Sequence, residues 1–259
     1  TLSLPPSLPH SLPHSLFIQL VDMKLLRRAK PFPMESLAGY IVRLTHLNHY
    51  PSSNIILKMA EIEERKCHLN VFSTNQDDLS KLSYITSVPE NILWSMAFIK
   101  KTSPHNPTHW VNGFGENFFA RLLNNNCFTI CTACLAEKPY YRKVWDLDHV
   151  TVCPFHKCRL INSCPACGQV INFSSPDFFK CHKCNFYFHD FWEKPIFEEW
   201  LLSANIYQQV GFPGIDSVLS KFDEANPYLI PPFFAIPFLS LNYLANLSHE
   251  DIYFLDNQR

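Results

Sequence analysis

Cys131 and Cys134, Cys153 and His156, Cys164 and Cys167, and Cys181 and Cys184 each stand two residues apart. Zinc takes four thiolate or imidazole ligands in a tetrahedron, and a two-residue gap lets one tight turn aim two of them at the same ion. Four such pairs make two complete sites. The sequential assignment puts Cys131, Cys134, Cys153 and His156 on one zinc ion and Cys164, Cys167, Cys181 and Cys184 on the other. It closes shorter loops than an interleaved assignment, which spacing alone leaves open. With no ligand position open to water or substrate, both sites read as structural. Metal binding is then folding energy, on the order of 10 kcal/mol per ion in small zinc modules. Gly168, directly after Cys167, suits the left-handed turn of a metal knuckle.

A disulfide framework is the competing reading, because eight of the ten cysteines lie in this span. Two arguments stand against it. No basic segment followed by a compact apolar run and a small-residue cleavage site opens the chain, so no secretory leader is expected. Cysteines two residues apart also bridge poorly. Cys158, His149, His182 and His189 lie near the pairs and are spare ligands; His156 is preferred to Cys158 because it keeps the two-residue gap from Cys153. Cys67 and Cys127 have no paired partner and read as buried free thiols. A zinc nucleobase deaminase would need an H-x-E upstream of its cysteine pair, and the chain has none.

The formal net charge is −1, but residues 23–160 carry 17 Lys/Arg against 11 Asp/Glu, and residues 161–259 carry 5 against 11. An excess of six positive charges is weak footing for nucleic-acid binding, which asks for a clustered basic face. The longest uncharged stretch, Ala225 to His249, is interrupted by Pro227, Pro231, Pro232 and Pro237. Those prolines would leave backbone groups unpaired in lipid, so packed irregular chain is expected there and no membrane span.

Residues 1–22 repeat Ser-Leu-Pro-His with no helical or strand period, and are expected to be a disordered or upstream-translated extension ahead of Met23. From Glu35, the spacing of Leu37, Tyr40, Ile41, Leu44 and Leu47 predicts an amphipathic helix ending at Asn48–Tyr50. A second helix follows Pro51, with Ser52 or Ser53 as its cap. Together they make a helix-turn-helix-like unit whose second helix offers Asn54 and Lys58 as polar readers. A third, buried helix is expected from Ser87 as cap, with Pro89 in its first turn. Lys100 to Gly115 reads as a loop, and Phe118 to Leu123 as a short helix. Tyr140, Tyr141, Val144, Trp145 and Leu147 alternate with Arg142 and Lys143. Such a segment stacks on bases or forms the core beneath a metal site, and the core is the better reading. A last helix is expected over Phe197 to Val210.

These expectations make a mainly α chain with small zinc-stapled β elements. It divides into the extension at 1–22, a helix-turn-helix-like domain at 23–112, tandem zinc modules at 113–192, and a helical, proline-rich segment at 193–259.

Lys30-Pro31-Phe32-Pro33-Met34-Glu35-Ser36-Leu37, then Tyr40, Arg43-Leu44 and Asn48, resembles the opening of the TniQ family of transposition proteins. The likeness continues through Cys131-Thr132-Ala133-Cys134-Leu135, Tyr140-Tyr141-Arg142, Trp145, Val152-Cys153-Pro154-Phe155-His156, Leu160 and Cys164-Pro165-Ala166-Cys167-Gly168. The resemblance implies a non-enzymatic targeting adaptor acting in the prokaryotic cytoplasm, with a helix-turn-helix domain followed by tandem zinc modules. Its implied partners are an ATPase regulator of transposition, target DNA or a CRISPR effector complex, and, indirectly, the transposase. A homodimer is also open.

On the residues themselves, Arg142 and Lys143 are the first candidates for phosphate contact, with Arg43 and Lys58 behind them. A zinc-ribbon transcription regulator reading an operator as a dimer is the second reading. An enzyme fares worst, because no Gly-rich phosphate loop, Ser-His-Asp set or carboxylate pair is legible.

Overall fold

The computed structural model describes residues 24–62, 71–72, 78–101, 110–124, 127–171, 179–195 and 197–225. The expected extension at 1–22, Cys67 and the proline-rich stretch after Ala225 lie outside the described residues.

Helix α1 (Leu37–Leu47) begins where Ser36 Oγ accepts the N–H of Gly39 at 3.0 Å, a side-chain cap on one of the orphan donors of the first turn. It is the central helix of the N-terminal part, buried along every residue from Leu37 to Thr45. Gly39 is required by packing: a Cβ there would lie 2.4 Å from Cβ of Tyr141. Helix α2 (Asn54–Met59) is short, and Ser53 makes no side-chain cap; Ser52 Oγ instead accepts from Asn54 N. Helices α3 (Ser80–Thr86) and α4 (Glu90–Met96) complete the group. Leu37, Tyr40, Ile41, Leu44, Ile56, Leu57, Leu82, Ile85 and Leu93 form its core.

Three sequence expectations are corrected here. Ser87 caps no helix N-terminus: it is the left-handed C-cap of α3, at φ 58°, and α4 starts after Pro89. The stretch read as a loop after Lys100 contributes to a four-stranded sheet ordered β1 (Val71–Phe72), β2 (Phe98–Lys101), β3 (Trp110–Gly113), β4 (Glu116–Phe119). β1 and β2 are parallel and the other pairs antiparallel. Phe118 and Phe119 are therefore strand residues, followed by a 3-10 turn over Ala120–Leu122. Phe98, Val111 and Phe118, all 0 % exposed, pass their side chains into a second core.

That core is shared by the sheet, the cysteine-bearing region, helix α5 (Thr132–Glu137), the hairpin of β5 (Val152–Cys153) and β6 (Cys158–Arg159), and helices α6 (Phe197–Gln209) and α7 (Ile215–Ala225). Trp145 sits at its centre and donates Nε1–H to the Tyr207 hydroxyl at 2.7 Å. Trp200 Nε1 donates to Pro154 O, and Val152 N to Ser203 Oγ, so α6 is clamped onto the hairpin. Among the described residues, no helix is long and apolar enough to cross a membrane.

The N-terminal motif joins the two cores. Glu35 and Arg142 form an antiparallel bridge, flanked by Ser36 N to Tyr141 O at 3.0 Å and Lys143 N to Met34 O at 2.7 Å. Glu35 is held in turn by Arg43, whose Nε and Nη2 each reach a carboxylate oxygen at 2.7 Å. The Arg43 guanidinium lies over Phe32, and its Nη2 also donates to Lys30 O. Lys143 Nζ crosses to the helical part, donating to Ser95 O and Ala97 O at 2.9 and 2.8 Å, and edges an open cleft of about 590 Å³ together with Phe32, Met34, Val88, Ile92 and Met96.

Candidate metal centres

Cys131 is the N-cap of α5, its Sγ accepting the N–H of Cys134, so a short helix aims both sulfurs at one point. The β5–β6 turn brings the other two ligands. Cys153 ends β5, Lys157 takes the left-handed conformation at φ 49°, and His156 is carried between them. The Nδ1 atom of His156 lies 3.1 Å from Cys134 Sγ, 3.4 Å from Cys153 Sγ and 3.6 Å from Cys131 Sγ. Cys134 and Cys153 sulfurs are 3.4 Å apart.

Tetrahedral ligation at Zn–S distances of about 2.3 Å sets thiolate sulfurs about 3.8 Å apart, so this constellation is the size of one ion's shell. Four protonatable groups this close cannot all carry their own charge. Hydrogen bonds from Cys134 and Cys153 pull the Cys131 thiol far below its ordinary value, while the bond to Cys131 pushes Cys134 up. A divalent cation resolves that conflict by taking the thiolates together.

His156 Nε2 meets Glu137 Oε1 at 2.8 Å. A carboxylate behind the ring fixes the tautomer that leaves Nδ1 free to face the sulfurs, the arrangement expected around a metal-bound histidine. Cys158, paired with Cys153 across the hairpin and 1 % exposed, places its Sγ 3.6 Å from Cys131 Sγ. It is a neighbour of the set.

The second group is built from two matching knuckles. Gly168 N bonds back to Cys164 O and Asn185 N to Cys181 O, with Gly168 at φ 69° and Asn185 at φ 60°. Both turns need the left-handed conformation, which glycine and asparagine adopt most readily. Cys164 and Cys184 sulfurs lie 3.6 Å apart, as do those of Cys167 and Cys181.

Within each group the ligand atoms lie within 4.8 Å of one another, so Cys131, Cys134, Cys153 and His156 form one set that could hold a metal ion and Cys164, Cys167, Cys181 and Cys184 another. This is the sequential pairing, and both sets are compatible with zinc. The nine cysteines among the described residues are free thiols, so no disulfide framework is present there. Cys127 is half-buried, more open than expected. His149, His182 and His189 belong to neither set.

The phosphate-contact candidates need correction. Arg142 and Lys143 are 8 % and 4 % exposed, and Arg43 is 8 % exposed in its pair with Glu35. Guanidinium and ammonium groups enclosed by aromatic rings and carbonyls present no face to a phosphate backbone. Lys58 is exposed on α2. The aromatic segment from Tyr140 to Leu147 is core, as its apolar members indicate. Glu137 was legible only by helical spacing, three residues beyond Cys134 and hence on the same face.

No curated protein matches the chain significantly. Residues 26–160 match the TniQ family, a span that holds the buried Glu35–Arg43 motif, its bridge to Arg142 and the complete first centre. The chain therefore belongs to the TniQ family of transposition-associated proteins.

Proposed function

We propose that the protein is a non-enzymatic adaptor that selects target sites for DNA transposition, linking a target-recognition element to an ATPase regulator and through it to the transposase. Two structural zinc ions, one in each Cys/His set, are its cofactors. The observation that carries this reading is that the family match spans one continuous unit, in which the N-terminal motif is hydrogen-bonded at Met34 and Ser36 to the segment Tyr141–Lys143 that lies between the two ligand pairs of the first centre. A rigid body of that kind suits a scaffold that holds two partners in fixed relation.

The α1–α2 pair serves as the helix-turn-helix-like element, with Lys58 on its open side. The target-recognition element is attachment-site DNA or a CRISPR effector complex. A pull-down with the neighbouring transposition ATPase, with and without DNA, tests the reading on protein whose zinc content has been measured. Two zinc ions per chain and DNA-dependent ATPase capture are expected. Two zinc ions with salt-sensitive binding to one duplex and no ATPase capture would make it a transcription regulator instead.

A further inference from the structure

Arg142 has no anionic partner that the fold supplies by itself. Its Nε and Nη1 atoms are buried without a hydrogen-bond partner among the described residues. The carboxylate nearest in the ladder, Glu35, already has both oxygens engaged by Arg43. Three aromatic rings surround the guanidinium, those of Tyr140, Trp145 and Phe212, with centroids 5.3, 5.1 and 5.7 Å away. Ring faces stabilise a cation but accept nothing from its in-plane N–H groups. A buried charge left in that condition is costly, and proteins keep one where a counter-charge is present in the working state.

The counter-charge at hand is the first metal centre. The Phe212 ring that faces Arg142 packs on Phe155 at a centroid distance of 5.7 Å, and Phe155 stands between Cys153 and His156 in the turn that carries two of the ligands. Three thiolates and a neutral imidazole on a divalent ion leave one net negative charge, and Glu137 behind His156 adds another. We propose that Arg142 is the counter-ion of the Cys131/Cys134/Cys153/His156 centre, neutralising its excess charge inside the core and so retaining its metal. The inference rests on the reading of that centre as a zinc site. The second centre, partly exposed, has water to screen its charge and serves as an internal control.

The test uses the full chain loaded with Co(II), whose visible d–d bands distinguish a three-sulfur, one-nitrogen shell from a four-sulfur shell, under titration with a chelator. In Arg142→Gln the first centre should lose about 10- to 100-fold in affinity, the range typical of residues that support a metal's ligands. The second should be unchanged. Arg142→Lys, which keeps the charge, should recover most of the loss. Unaltered affinity in Arg142→Gln, or an equal loss in Arg142→Lys, overturns the proposal, the latter by assigning the effect to packing. Arg142→Met, which keeps an apolar stem among the rings, replaces Arg142→Gln if that variant does not fold at saturating metal. Absence of a three-sulfur, one-nitrogen band in the wild type would sink the metal reading of the centre itself, a result separable from the behaviour of the variants.

Discussion

The two Cys/His centres use nearly the same ligands but differ in how far the core encloses them. In the first, Cys131, Cys134 and Cys153 are each 0 % exposed, and their elements are roofed by Trp145, Tyr207 and the α6 helix. In the second, Cys164 and Cys181 are buried against the same core, but Cys184 is exposed and Cys167 half-buried, and the knuckles are closed by their own backbone bonds. The first is part of the core, so its loss removes the floor on which other residues pack. The second is half open to solvent and is closed by its own backbone, so its loss should stay local. Ligand spacing alone does not separate them.

Cys153→Ser should break the molecule most severely. It takes a ligand from the buried centre, where a structural zinc ion would contribute on the order of 10 kcal/mol, comparable with the whole stability of a domain. The expected outcome is loss of cooperative unfolding by circular dichroism together with loss of the first metal; a cooperative transition near the wild-type Tm would show that the buried centre is dispensable. Arg43→Ala should come next. It leaves Glu35 buried and uncompensated at the joint between the helical part and the first centre, costing about 3–5 kcal/mol in urea unfolding. A change below 1 kcal/mol would mean that the joint does not couple the two cores.

Lys143 adds a pH-dependent strand to the same joint. Burial pushes its pKa down from 10.5 to about 8, with Asp146 pulling the other way. Its folded pKa lies below the unfolded value, so the unfolded chain binds more protons between those limits. Stability therefore rises with pH from about 8 to 10.5, and the cost of the buried ammonium is fully present below pH 8. At about 1.4 kcal/mol per pH unit, the slope is worth up to about 3 kcal/mol. Denaturation of zinc-loaded protein should show that slope in the wild type and lose it in Lys143→Met, and parallel profiles for the two would refute the assignment.

Glu137→Gln should weaken metal retention at the first centre by about tenfold, with little effect at the second, as followed by chelator competition. Equal weakening at both centres would erase the distinction drawn between their surroundings. The smallest global effect is expected from Cys184→Ser. One of two zinc ions should be lost and hydrogen-exchange protection should fall only around 164–187, while the main unfolding transition shifts by a few degrees at most. Unfolding of the whole chain would break the comparison outright.

The parts legible in advance are those set by local chemistry. The knuckle spacing, the helix from Leu37 and the helix from Phe197 each depend on residues within a few positions of one another. The sheet was hidden because its longer strands have four residues each and are defined by partners across the chain. Ile99 faces Asn112, and Val111 faces Phe118, whereas the local composition of Pro, Asn, His and Gly speaks for a loop. Ser87 misled for a related reason: serine before Pro89 looks like a cap, but the preceding helix claims it as its own C-terminus.

The basic residues mark the sharpest divide. Nothing in the order Tyr140-Tyr141-Arg142-Lys143 says whether its charges face water or core, since side-chain burial depends on what packs from elsewhere. Sequence by itself determined the family and the two sets that could each hold a metal ion, because a two-residue gap dictates a turn and a turn brings both side chains to one point. Only the tertiary structure decided that the thiols of one centre are all enclosed by the core while the other centre is half open, and that Arg142 and Lys143 point inward. Those outcomes come from helix α6, the sheet and the N-terminal motif closing over the first centre, contacts between residues tens of positions apart that leave no local trace.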